Sequence, residues 1–397
     1  VVEVLRQNKY KATGFASPSS YLRAMRILIA SDAFKDALSA EAVCEALAKG
    51  AATAMPDAQL DRFPLADGGE GTAAILQQAL GLVPREIMAA DPMRRPRKAV
   101  YYLSPDGKTA FVEMAATAGL QLLPKLERNP MYTSTFGTGL MVADAIQNGA
   151  EELVLAIGGS STNDAGMGLA KALGWTFYDQ HNRPLDPMGM NLEAVERIEK
   201  PDQDFALRVR VICDVQNPLS GPNGAARVYG PQKGAKLEEV ELLDRGLIHF
   251  AHKIEILLDR PNLSATPGAG AAGGMGFGAL AFLNASLEPG VEMVMDLCHF
   301  DEALDRADLV WTGEGMIDAQ TKYGKLISGI CKRAAARSIP VWGFCGRLDA
   351  SPSDLQSIGL ERAFCINEGL PDMPLEEKLS NTAVNLERMA QEVLKNT

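Results

Sequence analysis

Residues 308–325, DLVWTGEGMIDAQTKYGK, pass from apolar to ionisable within a few positions. The run Leu309–Trp311 reads as a buried strand and Thr312-Gly313 as its end. Glu314 and Asp318 follow, with a glycine on each side of Glu314, then Lys322 and Lys325. The arrangement recurs. Strand candidates open into SDAFKDALSA (31–40), ADGGEGT (66–72), GGSSTNDAG (158–166), CDVQNPLSG (213–221), TGEGMIDAQT (312–321) and CGRLDA (345–350). One such end is ordinary turn chemistry, because Asp, Asn, Ser and Gly favour turns. A carboxylate at every end is a pattern that turns alone do not require.

Between these ends strands and helices alternate. RILIASD (26–32) reads as a strand, and Ser39 caps the helix AEAVCEALAKGAATAM. QLDRFPLAD (59–67) and EGTAAILQQAL (70–80) repeat the pair. KAVYYLSPDGKTAFVEM (98–114) reads as a hairpin about Pro105-Asp106-Gly107. A helix over 137–150, strands at 152–157 and 207–212, and a long helix over 240–258 follow. Late in the chain come the helix KLISGICKRAAARS, the strands PVWGFCG and RAFCIN, and one helix over 375–395.

Such alternation predicts an α/β protein with largely parallel sheets. The hairpin and the loop-rich stretch 175–235 do not fit one doubly wound sheet. The first βαβ unit and the closing βαββα segment resemble each other more than the middle. The expected architecture is a discontinuous parallel-sheet domain of the Rossmann or flavodoxin-like kind, residues 25–67 plus 297–397. A second α/β domain, 68–296, is inserted into it. Residues 1–24 lack a signal-peptide pattern and read as an upstream extension.

The totals bound the function. The 397 residues suit two domains, and 47% apolar with 22% charged residues is ordinary globular composition. The formal net charge of -11 argues against a nucleic-acid binder, which shows a basic face. No apolar run reaches the ~18 residues of a membrane span. The six cysteines lack metal spacing and read as free thiols of a reducing cytoplasm. His249 and His252 read as a packed or solvated helix face, and MRRPRK (93–98) as a solvated loop.

In open α/β sheets ligands bind beyond the carboxyl ends of strands. Glycine lets backbone N–H groups approach phosphate, carboxylates hold Mg²⁺, and lysine is a point charge on phosphate. YGPQKGAK (229–236) sets Gln232 and Lys233 between glycines in that style. These are the parts of a phosphoryl-transfer site. Rival motifs fail. GAGAAG (268–273) satisfies a dinucleotide fingerprint through Gly268, Gly270 and Gly273, but no strand precedes it. It reads instead, with Gly274, as a close-approach loop and anion site at a helix start. Gly107-Lys108-Thr109 lacks the earlier glycine of a P-loop, and no protein-kinase or serine-hydrolase signature is present.

Taken in order, ASDAFKDALSA, PLADGGEGT, FVEMAATAGL, TSTFGTG, AIGGSSTNDAGMG, CDVQNPLSGPNGA, YGPQKGA, PGAGAAGGMGFG and TGEGMIDAQTKYGK resemble the bacterial glycerate kinases of the glycerate/galactarate-utilisation type. The resemblance spans about residues 25–395. It implies ATP- and Mg²⁺-dependent phosphorylation of D-glycerate at the 2-hydroxyl. It also implies a cytoplasmic setting and two α/β domains with the active site in their cleft. A homodimer is among the assemblies it leaves open, as is 3-phosphoglycerate as product. It does not identify the base.

The hydroxyl must lose a proton as it attacks phosphorus, so a carboxylate is needed nearby. Asp318 or Asp67 is the expected base, with Asp214 and Glu314 near Mg²⁺. Lys35, Lys233 and Lys325 would neutralise phosphates or the substrate carboxylate. Gly158, Gly159, Ser160, Asn163 and Asp164 would hold nucleotide or substrate, with Gln232 beside Lys233. Ser134, Thr135 and Thr138 are further substrate-site candidates. Two other classes compete: a nicotinamide dehydrogenase, which needs the missing strand before GAGAAG, and a non-catalytic sugar-acid sensor.

Overall fold

The computed structural model describes residues 24–35, 37–66, 72–202, 206–319, 321, 326–371 and 374–395. Asp67, Lys325 and all but Ala24 of the expected extension lie outside these residues. The described strands, in chain order, are β1 (Arg26–Ile29), β2 (Gln59–Arg62), β3 (Val83–Ala90), β4 (Pro96–Leu103), β5 (Thr109–Glu113), β6 (Glu152–Ala156) and β7 (Thr176–Tyr178). Then come β8 (Arg197–Glu199), β9 (Arg208–Ile212), β10 (Ser286–Glu288), β11 (Leu309–Asp318), β12 (Val341–Asp349) and β13 (Arg362–Cys365). The chain divides into two compact units, Val1–Asp67 with Val294–Thr397, and Gly68–Met293.

The first unit carries a parallel sheet in the order β13-β12-β11-β1-β2. Counted within the unit this is 2-1-3-4-5, a doubly wound order that reverses between β1 and β11. Its inner strands β1, β11 and β12 carry buried apolar runs because both faces are covered. The helices Ala40–Ala54 and Thr382–Lys395 share one core with Ile27, Ile29, Leu309 and Trp311. Ser39 accepts the Ala42 N–H at 3.3 Å, capping the first of these helices as its sequence predicts. Aromatic rings run across three strands: Trp311 stacks on Trp342 with centroids 6.4 Å apart, and Phe344 meets Trp311 at 5.0 Å and Phe364 at 5.4 Å. Such cross-strand pairs pin register.

β11 does not stop at Thr312-Gly313. It pairs with β12 from Val310↔Val341 to Asp318↔Asp349, so Glu314 and Asp318 sit in a strand, not a loop. The glycine that reads as a breaker is there for close approach. A Cβ on Gly313 would lie 2.8 Å from the Phe344 carbonyl and 3.1 Å from both the Phe34 ring and Ser31 Oγ. Alternation then places Glu314, Met316 and Asp318 on one face while Ile317 is fully buried on the other. The closing helix is also two helices, Leu375–Ser380 and Thr382–Lys395.

The second unit carries a mixed sheet, β10-β9-β6-β5-β4-β3, parallel through β10, β9, β6 and β5. The expected hairpin is β4–β5, and β3 adds a further antiparallel strand that the sequence reading did not include. The long helix Leu237–Leu258 buries Leu243, Leu247, Phe250 and Ile254 at helical spacing. Phe250, Phe177 and Phe282 form an aromatic cluster with it.

Truncating Trp311 to Ala should cost about 3–5 kcal/mol in urea unfolding, because it removes a fully buried ring from the ladder. A loss below about 1 kcal/mol would show that the ladder does not hold this sheet.

Candidate active site

In the first unit the chain leaving β1 follows β11. Ala30 N–H donates to the Trp311 carbonyl at 2.7 Å, and Ser31 Oγ donates to the Gly313 carbonyl at 3.0 Å. Asp32 then turns away, its Oδ1 accepting the Ala33 N–H at 2.7 Å. Lys35 is exposed in a turn closed by Phe34 N–H and the Leu38 carbonyl. At the far end of β11 the fully buried Thr321 meets the Glu314 carboxylate and the backbone of Asp318. Its hydroxyl donates to Glu314 Oε1 at 2.6 Å and accepts the Asp318 N–H at 3.2 Å. The Glu314 carboxylate is thus oriented, and the backbone of Asp318 is tied to the same hydroxyl. Thr321 was missed in the sequence, although its spacing of three from Asp318 is a local capping signal.

In the second unit β5, β6 and β9 end side by side, so the loops after Glu113, Ala156 and Ile212 cluster. Asp164 is the hub. It is fully buried, and its Oδ2 accepts from Thr135 N–H at 2.7 Å, Thr135 Oγ1 at 2.9 Å, Gly168 N–H at 3.2 Å and Ser134 Oγ at 3.5 Å. Oδ1 accepts from Gly166 N–H at 3.3 Å. Burial pushes this carboxyl's pKa up, and the Thr135, Gly168 and Gly166 donors pull it back. Asp164, Ser134 and Thr135 therefore spend their polar groups on one another and on the start of the helix Met167–Ala172. Thr138 is likewise buried, 3.0 Å from the Thr117 hydroxyl.

Lys233 enters this loop from the turn Pro231–Lys233. Its Nζ donates to Ser160 Oγ at 2.6 Å and to the Thr162 carbonyl at 2.8 Å. Burial lowers its pKa to about 7, against the pull of the Asp164 carboxylate. Gln232 beside it is exposed, as are Gly158 and Gly159. A Cβ on Gly158 would meet nothing within 4 Å, so its backbone faces open space. Asn163 is fully buried with neither amide atom paired, and the neighbouring Thr162 hydroxyl is unpaired too.

Gly270, Gly273 and Gly274 are placed differently from their expected role as a ligand loop. A Cβ on Gly270 would come 2.1 Å from the Pro218 carbonyl, and one on Gly274 2.8 Å from Leu219. On Gly273 it would come 1.9 Å from the Thr162 carbonyl, at a φ of +72°. These glycines let one loop pack onto another, and the segment before them is a short 3-10 turn, Leu263–Ala265, not a strand. The contact is strained: Ala165 and Ala272 both hold positive φ, at 50° and 54°.

Asp214 is exposed, and its Oδ1 accepts the Gly290 N–H at 2.7 Å. It lies in the second unit and Glu314 in the first, so the expected metal pair is divided between units. Glu113, at the end of β5, is a half-buried carboxyl whose pKa burial raises. The block FVEMAATAGL contained it, but nothing in that block set it apart. Among the described residues, no three His, Cys, Asp or Glu side chains converge as a metal cage.

Replacing Gly273 by Ala should destabilise the second unit by about 3 kcal/mol or more, since it adds overlap to a left-handed backbone. A thermal melt within about 1 °C of the parent would contradict this packing.

The glycerate kinase family model matches residues 27–397. The glycerate kinase of Bacillus subtilis (strain 168) is 40% identical over 372 residues, 93% of this chain and 97% of that protein. The glycerate 2-kinase of Escherichia coli (strain K12) is 39% identical over 345 residues, 86% of this chain and 90% of that protein. The crystal structure of a protein described as glycerate kinase 2 from Salmonella typhimurium LT2 superposes with a TM-score of 0.82 at 38% identity, covering 94% of this chain and 98% of that one. With its family model running from β1 to the last residue, the chain belongs to the glycerate kinase family and is a phosphotransferase.

Proposed function

We propose that the chain phosphorylates D-glycerate at the 2-hydroxyl, with ATP as donor and Mg²⁺ as its metal, giving 2-phosphoglycerate. The observation that carries the position of transfer is the 39% identity with the E. coli glycerate 2-kinase across 90% of that protein. The 2-1-3-4-5 order supports a flavodoxin-like reading of the first unit, with ligand at the strand ends flanking the β1/β11 reversal. Six free cysteines support a reducing, cytoplasmic setting.

Magnesium takes hard oxygens, commonly one or two carboxylates completed by phosphates and water. Glu314 and Asp318 fit that demand: both stand on one face of β11, and Thr321 orients the Glu314 carboxylate. When bound, the ion would neutralise charge on the β- and γ-phosphates. Gly158 and Gly159 offer exposed backbone for a phosphate or the substrate carboxylate. Lys35, exposed on its turn, offers a mobile positive charge.

Incubation with D-glycerate, ATP and Mg²⁺, read by phosphorus NMR, should show one product with phosphate on carbon 2. Phosphate on carbon 3 would overturn the assigned position, and no ATP consumption would overturn the substrate. Asp318→Asn should lower kcat about 10²-fold or more with an unchanged circular dichroism spectrum. Near-parent turnover would remove Asp318 from the site.

A further inference from the structure

Lys233 is costly where it sits. Its side chain is 3% exposed, and among the described residues it forms no ion pair. A buried ammonium without a carboxylate partner is strongly disfavoured, so such a lysine invites a chemical reason. The obvious reason, an anion clamp, fits the geometry poorly. A clamp must present its N–H groups to the ligand. Two N–H directions of Lys233 go to Ser160 Oγ at 2.6 Å and the Thr162 carbonyl at 2.8 Å, and the side chain is closed off from solvent. Ser160 is 8% exposed and follows Gly158-Gly159, whose backbone is open. Of its two hydrogen-bond partners Ser160 keeps some exposure and Thr162 none, so the Ser160 hydroxyl is the group through which a ligand would meet Lys233.

We propose that Ser160 and Lys233 form the proton relay of the phosphoryl transfer, an assignment that rests on the glycerate kinase reading above. The glycerate hydroxyl, hydrogen-bonded to Ser160 Oγ, gives up its proton to that oxygen. Ser160 passes its own proton to the neutral amine of Lys233. The freed glycerate oxygen forms a bond to the γ-phosphorus as the bond from phosphorus to the ADP oxygen breaks. Lys233, now an ammonium, still donates to the Thr162 carbonyl, and returns its proton to solvent through Ser160 once product leaves. No other reactant is consumed. With this relay, Asp318 is not needed as base.

A relay works only if the lysine loses its charge near neutral pH. Burial favours that, and the groups around the amine are arranged for it. Its hydrogen-bond partners are a hydroxyl and a carbonyl. Among the described residues the charge acting on it is the Asp164 carboxylate, itself occupied by Thr135, Gly166 and Gly168. The sign follows: the neutral form is the competent one, so turnover is present above the lysine pKa and is lost as pH falls through it. A charged clamp would show the opposite limb.

The test is kcat against pH for the full chain with saturating ATP, Mg²⁺ and D-glycerate, for the parent, Lys233→Arg, Lys233→Met and Ser160→Ala. The parent should lose about tenfold per pH unit below about pH 7. Lys233→Arg, which keeps the charge but cannot shed it, should fall about 10²–10⁴-fold in kcat and lose that limb. Calorimetric Kd values of the variants for ATP and D-glycerate should stay within a few-fold of the parent. Parent-like turnover by Lys233→Arg, a parent limb that falls above pH 7, or loss of ligand binding in the Lys233 variants would each overturn the relay. If the Lys233 variants fail to fold, Ser160→Ala decides: an unchanged kcat overturns it. A parent enzyme inactive on D-glycerate would overturn the glycerate kinase reading and the relay together.

Discussion

The second unit depends on one buried carboxylate. Asp164 gathers the Thr135 amide and hydroxyl, the Ser134 hydroxyl and the amides of Gly166 and Gly168 around itself. Burying a carboxylate away from water is tolerable only when donors replace the lost hydration. Those donors come from two distant segments, so satisfying the charge fixes where the TST turn and the helix after β6 must lie. The geometry of the loop 158–166 follows. Ser160 and Thr162 are set where Lys233 can reach both, and the left-handed alanines at 165 and 272 are held by the packing around them.

The first unit solves a related problem with backbone. Its sheet must carry ionisable groups at strand ends without opening the core. β11 and β12 stay paired as far as Asp318 and Asp349, well past the apolar stretch. Glycine at 313 makes room for the turn from β1, and Thr321 ties Glu314 to the end of the strand. The backbone of both residues is thus held by a regular ladder, and a single hydroxyl orients the Glu314 carboxylate. That is the kind of rigid support a phosphoryl-transfer site needs, because its catalysis is mostly positioning.

Much of this was legible in the residues. Apolar runs bounded by polar glycine loops marked the strands of the five-stranded parallel sheet and the centre of the mixed one, and Ser39 announced its helix. What misled was glycine. Its meaning depends on what approaches it, and sequence does not show that. Gly313 looked like a strand end and is a packing glycine within a strand; Gly270, Gly273 and Gly274 looked like a ligand loop and are packing glycines as well. β3 was missed because an edge strand in contact with water lacks the apolar run that marks the central ones. At the site, the residue types were readable and their partners were not. Asp164 looked like a ligand contact, yet its acceptor capacity is taken up inside the protein. Lys233 looked like a charge on phosphate or substrate, and only the structure shows it buried against Ser160.

In the proposed function, ligands bind at the carboxyl ends of the parallel strands of each unit, in chain that the core holds still. Hydrogen–deuterium exchange with and without D-glycerate and Mg²⁺-ADP tests it most directly. The account predicts slowed exchange in peptides covering 158–164 and 312–318. Protection confined to the antiparallel edge at 83–103, with those peptides unchanged, would contradict it.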